Sequence, residues 1–153
     1  MGPGIFGKLP AHGDFVSRGL PAGLRKALDH WVTHQIGQRA LPADGLRARL
    51  TLSGMPVIAV ILSSHDKPGR TFPIVGVATD PGASYEEIDV WCDQMAETLD
   101  QAINGVVNAD MVMEALPAVP LGAGCDAAQQ DTFWQKGQAP RSTLELRAAL
   151  SSD

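Results

Sequence analysis

The run Val57-Ile58-Ala59-Val60-Ile61-Leu62 restricts the possible folds of this chain more than any other stretch. Six consecutive apolar residues leave no polar face, so a strand there is covered on both sides by other elements. A second strand is expected at Arg49–Leu52, and Ser53-Gly54-Met55 between the two is typical of a hairpin turn. The sequence therefore predicts a central strand from Pro56 to Leu62 beside an antiparallel neighbour.

Two amphipathic helices are predicted, one before and one after this hairpin. The first begins near Pro21 and ends at Gly37, because proline suits a first helical turn and glycine a C-terminal stop. The second begins at the capping box Ser84-Tyr85-Glu86-Glu87 and ends at Asn104-Gly105. Apolar residues recur in both helices at the spacing of one buried face. In the first helix they are Leu24, Ala27, Leu28, Trp31, Val32 and Ile36, and in the second Ile88, Trp91, Cys92, Met95, Leu99, Ala102, Ile103 and Val106.

Shorter elements complete the pattern. The sequence predicts strands at Ile5–Leu9, Thr71–Thr79 and Asp131–Gln135, a short helix at Ala109–Leu116, a polar connection at Gln38–Arg47, and a C-terminal helix to Leu150 opened by the capping box Ser142–Glu145. Strands and helices in this order predict an α/β (α+β) fold, with a mostly antiparallel central sheet flanked by helices. The layout is similar to that of longin and profilin folds. We expect a single domain over residues 1–153, since this length suffices for one hydrophobic core.

Composition excludes several classes of function. The net charge is -5 and no basic cluster is present, which argues against nucleic-acid binding. The longest apolar run, Pro56–Leu62, is too short to span a membrane, and the N-terminus lacks the features of a secretory signal. Cys92 and Cys125 are far apart in sequence and do not have the spacing of a metal-ligand pair. We expect reduced thiols in a cytoplasmic protein.

The opening stretch, Gly4 to Pro21, does not have the pattern of an ordinary strand or helix. Glycines and prolines alternate with apolar residues, and Lys8, Asp14 and Arg18 lie among them. Glycine permits unusual backbone conformations and proline fixes one, so the stretch is expected to follow a fixed, irregular path with a turn at Pro10–Gly13. If the segment were helical, Asp14 and Arg18 would pair across one turn.

A second polar segment, Ser63–Arg70, follows the central strand. We predict that Arg70 pairs with Asp14 or Asp66, because its planar fork matches a carboxylate, and that the two polar segments therefore meet in space. The apolar residues Leu9, Phe15, Leu20 and Phe72 lie beside these charges in sequence. Such a combination suits either an internal structural contact or a partner-binding surface, and the sequence leaves both open.

Two kinds of catalytic site are weighed here. The loop residues His12, Asp14, His65 and Asp66 are of types that ligate metals or transfer protons, although their spacing matches no recognised signature. Ser63 or Ser64 beside His65 suggests a nucleophile, but adjacent strand residues point to opposite faces and no nucleophile-elbow motif is present. No phosphate-binding glycine motif occurs either. The sequence predicts neither an enzyme nor a cofactor.

Two blocks of residues carry a resemblance to a known family. The first block, Gly7-Lys8-Leu9-Pro10-x-x-Gly13-Asp14-Phe15-Val16-x-Arg18-x-Leu20-Pro21, resembles the opening signature of the TagF (ImpM) family of type VI secretion-associated proteins. The second block, Ser64-x-Asp66-x-x-Gly69-Arg70-x-Phe72-Pro73, is similar to the S-x-D-x-x-G-R-x-F-P of that family. The connection at Gln38–Arg47 is shorter than in other members, and the phosphatase domain fused to some of them is absent from this sequence.

The resemblance implies a non-catalytic accessory protein of the bacterial type VI secretion system. It implies a negative, post-translational regulator linked to threonine phosphorylation and to an FHA-domain scaffold, which sequesters a secretion component by binding it. The alternatives are a metal-dependent enzyme using the loop His and Asp residues, or a structural subunit of the secretion complex. The oligomeric state is left open. The motif residues that are candidates for a partner face are Lys8, Leu9, Asp14, Phe15, Arg18, Ser64, Asp66, Gly69, Arg70 and Phe72.

Overall fold

A computed structural model of the chain describes residues 2–37, 39–105, 107–122 and 131–142. The strands are β1 (Gly4–Gly7), β2 (Val16–Arg18), β3 (Leu46–Leu52), β4 (Met55–Leu62), β5 (Ile74–Thr79), β6 (Thr132–Trp134) and β7 (Arg141–Ser142). The helices are α1 (Ala22–Trp31), which continues as a π-helix over Val32–Ile36, α2 (Tyr85–Asn104) and α3 (Ala109–Ala115). Within these residues the strands form one seven-stranded sheet in the order β2-β1-β5-β4-β3-β6-β7, and neighbouring strands are antiparallel. The predicted α+β class with an antiparallel sheet is confirmed.

The central position of β4 explains its continuous apolar sequence. Val57, Ala59 and Ile61 lie in one buried cluster with the apolar face of α1, whereas Ile58 and Val60 lie in a second cluster with α2. Alternate side chains of a strand point to opposite faces of the sheet, so a strand covered on both sides needs apolar residues at every position. The sheet therefore separates two cores, one under each long helix.

The two long helices begin and end as their sequence signals predict. The Ser84 hydroxyl accepts a hydrogen bond from the Glu87 backbone N–H at 3.2 Å, which is the N-terminal half of the predicted capping box. After α1 and its π-helical continuation, Gly37 has a φ of 54° and its N–H donates to the Val32 carbonyl at 2.9 Å, which closes the π-helical turn. The short helix α3 is capped by the Asn108 side chain, which accepts from the Met111 N–H.

Several predicted boundaries are wrong. Strand β2 was not predicted; it pairs with β1 through Ile5–Arg18 and Gly7–Val16, so the opening stretch is a hairpin. Strand β3 begins at Leu46, inside the predicted polar connection, and β5 begins at Ile74, because Pro73 has no N–H to donate to a sheet.

Some predictions fall wholly or partly on residues that the structure does not describe, among them Gln38 at the start of the predicted polar connection. Cys125, Val106 and the C-terminal helix expected after Ser142 lie outside the described residues, while Ser142 itself belongs to β7. Within the described ranges, no helix is both long enough and apolar enough to cross a membrane.

Candidate functional site

The two sequence blocks lie side by side at the end of β1. The second block folds back on itself: the Phe72 N–H donates to the Ser64 carbonyl at 3.1 Å, and His65 and Thr71 form an isolated antiparallel bridge. Backbone hydrogen bonds then join the blocks, from Lys8 N to Pro73 O at 3.2 Å and from Lys67 N to His12 O at 2.7 Å. The prediction that the two blocks meet is confirmed.

Gly7 makes this approach possible. Its φ is 138°, a conformation that residues with a side chain rarely adopt, and a Cβ atom there would lie 2.1 Å from the Pro73 carbonyl oxygen. The first motif glycine is therefore required by the closeness of the two backbones.

Three charged side chains form an ionic centre between the blocks: Lys8 and Asp66, which are buried, and Arg70, whose side chain is 63% exposed. Asp66 has no exposed surface, and its Oδ2 lies 3.3 Å from the Lys8 ammonium nitrogen and 2.7 Å from Arg70 Nε. Its Oδ1 accepts from the Arg70 backbone N–H at 2.7 Å. A buried carboxylate is stable only when its oxygens are satisfied in this way. The predicted pairing of Arg70 with Asp66 is confirmed.

The surroundings of Asp66 lower its pKa. Burial alone would raise the pKa, but hydrogen bonds from the Arg70 backbone and from the Lys8 and Arg70 side chains outweigh it, so the pKa lies below the ordinary value for aspartate. Asp66 is therefore ionised at neutral pH and holds both blocks together.

An aromatic cluster lies against the ionic centre. The Phe15 and Phe72 rings meet edge to face with centroids 4.9 Å apart, and Phe6 stacks on Phe15 at 6.0 Å. The Lys8 ammonium lies 4.9 Å from the centroid of Phe15, within the range of a cation–π contact. Phe15 nevertheless remains 48% exposed, which is unusual for a phenylalanine with two aromatic neighbours.

The candidate partner-face residues separate into two groups. Lys8, Leu9, Ser64 and Asp66 are buried. Asp14, Phe15, Gly69 and Arg70 are exposed, and Arg18 and Phe72 are partly exposed. The exposed and partly exposed residues other than Arg18 are Asp14, Phe15, Gly69, Arg70 and Phe72. We call these five residues the motif face.

The segment from Asp14 to Arg18 is not helical, so the pair that a helix would allow between these two residues does not form. Arg18 lies in β2, and an extended strand places residues four apart roughly 13 Å from each other. Arg18 Nε instead donates to Asp110 Oδ1 of α3 at 2.9 Å. Asp14 accepts from the Phe15 backbone N–H at 2.7 Å and has no ion pair with any described residue.

The residues weighed for catalysis have structural contacts. His12 Nε2 accepts from the Ala109 backbone N–H at 2.9 Å, so it contacts the start of α3. The Ser64 hydroxyl donates to the Lys8 carbonyl at 2.6 Å. Across the described parts of the chain, no three His, Cys, Asp or Glu side chains are grouped as metal ligands.

A small cavity adjoins Phe72. It has a volume of about 220 Å³, and its lining includes Arg39, Leu41, Ser63, Thr71, Phe72 and Pro73. Its walls are thus apolar and hydroxyl-bearing, with one cationic side chain. Leu41 and Arg39 come from the connection after α1, where no sequence pattern indicates a site.

The sequence also gave no sign of the buried arginines of β3. Arg47 pairs with Asp89 and Asp93 of α2, and the Asp89 carboxylate also accepts from the Trp134 indole N–H at 2.8 Å. Arg49 pairs with Asp80 at 2.6 Å. Cys92 lies in the same region, where burial raises its pKa to about 12, so it remains a protonated, unreactive thiol. These contacts join β3 to α2 and to the end of β5, away from the motif face.

Comparison with known proteins supports the resemblance. The sequence model of the family described as the TagF N-terminal domain, type VI secretion system-associated, matches residues 4–44. A crystal structure of PA0076 from Pseudomonas aeruginosa PAO1 is similar in fold, with a TM-score of 0.62 and 22% sequence identity over 97% of this chain and 78% of that chain. No curated protein sequence matches the chain. The resemblance of the first sequence block to the TagF family of type VI secretion-associated proteins is thereby confirmed over residues 4–44.

Proposed function

We propose that this chain is a non-catalytic accessory protein of the type VI secretion system, which acts by binding a secretion component at the motif face. An FHA-domain scaffold protein is the partner we favour, since the family resemblance implies one. Binding sequesters the partner from assembly, and the chain is then a negative, post-translational regulator that needs no chemical step.

The half-exposed ring of Phe15 is the observation that carries this proposal. The ionic centre and two further phenylalanines fix the ring at the surface, so it loses little conformational freedom when a partner covers it. Rigid aromatic side chains surrounded by polar groups are typical of the residues that dominate binding energy at protein interfaces.

The test is a capture experiment with the purified chain as bait, in a lysate of bacteria that express their type VI secretion system. We expect the wild-type chain to retain an FHA-domain protein, identified by mass spectrometry, and Phe15→Ala to lose it. Val90→Ala removes an apolar side chain of similar exposure, 57%, from the outer side of α2 and is the matched control. Melting temperatures establish that each variant is folded.

Two outcomes would contradict the proposal. One is a wild-type chain that retains no secretion component. The other is a folded Phe15→Ala variant that retains the same component as fully as Val90→Ala does, since the partner surface would then lie elsewhere.

The direction of regulation needs a cellular measurement. In a strain lacking the gene, we expect more secreted substrate in the medium than in wild type, and we expect complementation by the wild-type chain but not by Phe15→Ala to restore the lower level. Lower secretion in the deletion strain would show that the chain promotes assembly.

A further inference from the structure

We infer that the motif face and the adjoining cavity take an acidic segment of a partner protein that carries one apolar anchor residue. This inference rests on the proposed function, in that it assumes a protein ligand at the motif face. It names the chemistry of the segment that binds, which the family resemblance does not.

The first argument is charge. The side chains of Lys67 and Arg70 are exposed beside His12 and Gly13, and Asp14 is the exposed carboxylate of the two blocks. Asp66 offsets only one of the two positive charges of Lys8 and Arg70, with which it pairs, and the charges of Lys67 and Asp14 cancel, so one positive charge remains. The face is therefore locally positive on a chain whose net charge is -5, and that contrast favours an acidic ligand over a basic one.

The second argument is the cavity beside Phe72. Its charged lining residue is Arg39, whose guanidinium donates to the Gln35 carbonyl at 2.7 Å, and no carboxylate lies in its lining among the described residues. At about 220 Å³ it is smaller than the 300–1,000 Å³ typical of small-molecule sites, and suits a single side chain. Leu41, Phe72 and Pro73 provide apolar walls for an anchor residue, and Arg39 provides a partner for a neighbouring carboxylate.

The third argument is continuity. Phe72 lines the cavity on one side and packs against Phe15 on the other, so the cavity and the exposed ring belong to one surface. Cationic side chains lie at two places on this surface: Arg39 lines the cavity, and Arg70 and Lys67 contact the first block, where Arg70 donates to the Gly13 carbonyl at 3.0 Å. An extended segment with carboxylates on either side of an apolar residue fits this arrangement.

Other anionic ligands fit less well. Protein segments that bind acidic membranes or nucleic acids through charge use clusters of about four or more Lys and Arg residues. The motif face has fewer exposed cations than that, and its apolar centre is small. A peptide with a few carboxylates matches both the number of charges and the size of the cavity.

The experiment is a selection of binders from a phage-displayed library of random peptides about 12 residues long, the length of one extended recognition segment. With the wild-type chain immobilised, we expect enrichment of peptides in which Asp and Glu flank one aromatic or aliphatic residue. Affinity for a selected peptide, measured by fluorescence anisotropy, is expected to fall as NaCl rises from about 0.05 to 0.3 M.

Charge reversal locates the binding. We expect Lys67→Glu combined with Arg70→Glu to weaken the selected peptide about tenfold or more. Lys136→Glu combined with Arg141→Glu makes the same change in net charge at the opposite edge of the sheet, and we expect at most about a twofold effect. Thermal melting of both variants establishes that they are folded. Arg39→Glu leaves the ionic centre intact and provides a second variant for the same measurement of peptide affinity.

The outcomes are distinct. Enrichment of neutral or basic peptides, no enrichment at all, or equal weakening by the two double variants would overturn the inference. So would binding of the wild-type chain to vesicles of phosphatidylcholine and phosphatidylserine without selection of acidic peptides. If acidic peptides are selected but no secretion component is captured from the lysate, the inference stands and the proposed function fails.

Discussion

At Gly7, the first sequence block needs a residue without a side chain. The neighbouring glycine of the same block, Gly13, has open space around the position of a Cβ atom. Both lie in the same glycine-rich stretch, Gly7 between Phe6 and Lys8 and Gly13 between His12 and Asp14, and neither setting shows which glycine is required. The two positions differ because the Pro73 backbone, which is distant in sequence, approaches Gly7 but not Gly13. Glycine is therefore required at residue 7 and replaceable at residue 13.

Gly7→Ala should therefore destabilise the fold strongly and Gly13→Ala should not. A side chain at residue 7 meets the Pro73 carbonyl oxygen and demands a φ of 138°, which together cost about 3 kcal/mol or more. Gly13→Ala should change the free energy of unfolding by no more than about 0.5 kcal/mol. Urea unfolding followed by circular dichroism measures both. Equal, small effects would mean that the two blocks do not approach as closely as described.

Among the candidate residues, the sequence predicted that Arg70 pairs with Asp14 or Asp66 but not the position of Lys8. The former follows from the planar shape of the guanidinium group, which matches a carboxylate. The latter depends on rings from two separate segments, Phe15 and Phe72, whose centroids lie 4.9 and 6.0 Å from the Lys8 ammonium, while Asp66 neutralises its charge. Contacts assembled from distant segments leave no local pattern to interpret.

At the level of elements, prediction succeeded where the signals are local. Helix α2 has a capping serine, a long apolar stripe and a glycine after its last turn, and all of these act within a few residues. Strand β2 is three residues long and depends on its pairing with β1. The start of β3 at Leu46 lies inside the predicted polar connection because Arg47 is polar, whereas the carboxylates of Asp89 and Asp93 make its burial possible.

Ser84→Ala tests whether the capping of α2 contributes as the sequence suggests. Its hydroxyl accepts from the Glu87 N–H, and the loss of such a cap costs about 1 kcal/mol. Ser84→Asp retains an acceptor at the same place and should keep most of the stability. Chemical denaturation of the three proteins gives the comparison. An equal loss of stability in both variants would mean that the effect comes from packing around Ser84 and not from the cap.

In the molecule as a whole, successive side chains of β4 point alternately into two cores. Its continuous apolar run therefore predicted a central strand covered on both faces, as the fold class requires. The order of the strands was not predictable, because β1 inserts between β2 and β5 through pairings over many residues. The same non-local pairing brings the two sequence blocks together. Consequently the Lys8–Asp66 contact forms only when this pairing is made, and the stability of the whole molecule depends on the ionisation of Asp66.

This dependence predicts how stability changes in acid. The pKa of Asp66 is lower in the folded chain than in the unfolded chain, so the unfolded state binds its proton first as the pH falls. The stabilising contribution of Asp66 is complete above the pKa of aspartate in the unfolded chain, about 3.9, and is lost as the pH falls from there through the lower pKa of the folded state. We expect the free energy of unfolding to decline over that interval.

Asp66→Asn is the variant that isolates this contribution. At neutral pH it leaves the Lys8 and Arg70 charges without their carboxylate, so we expect a melting temperature lower by about 5 °C or more. As the pH falls from about 3.9 through the lower pKa of the folded state, its stability should approach that of the wild-type chain, because the wild-type carboxylate becomes protonated over that interval. Asp14→Asn makes the same change in net charge at an exposed position of the first block and is the matched control. If the two variants alter the dependence of melting temperature on pH equally, the acid sensitivity belongs to the net charge of the molecule and not to the ionic centre.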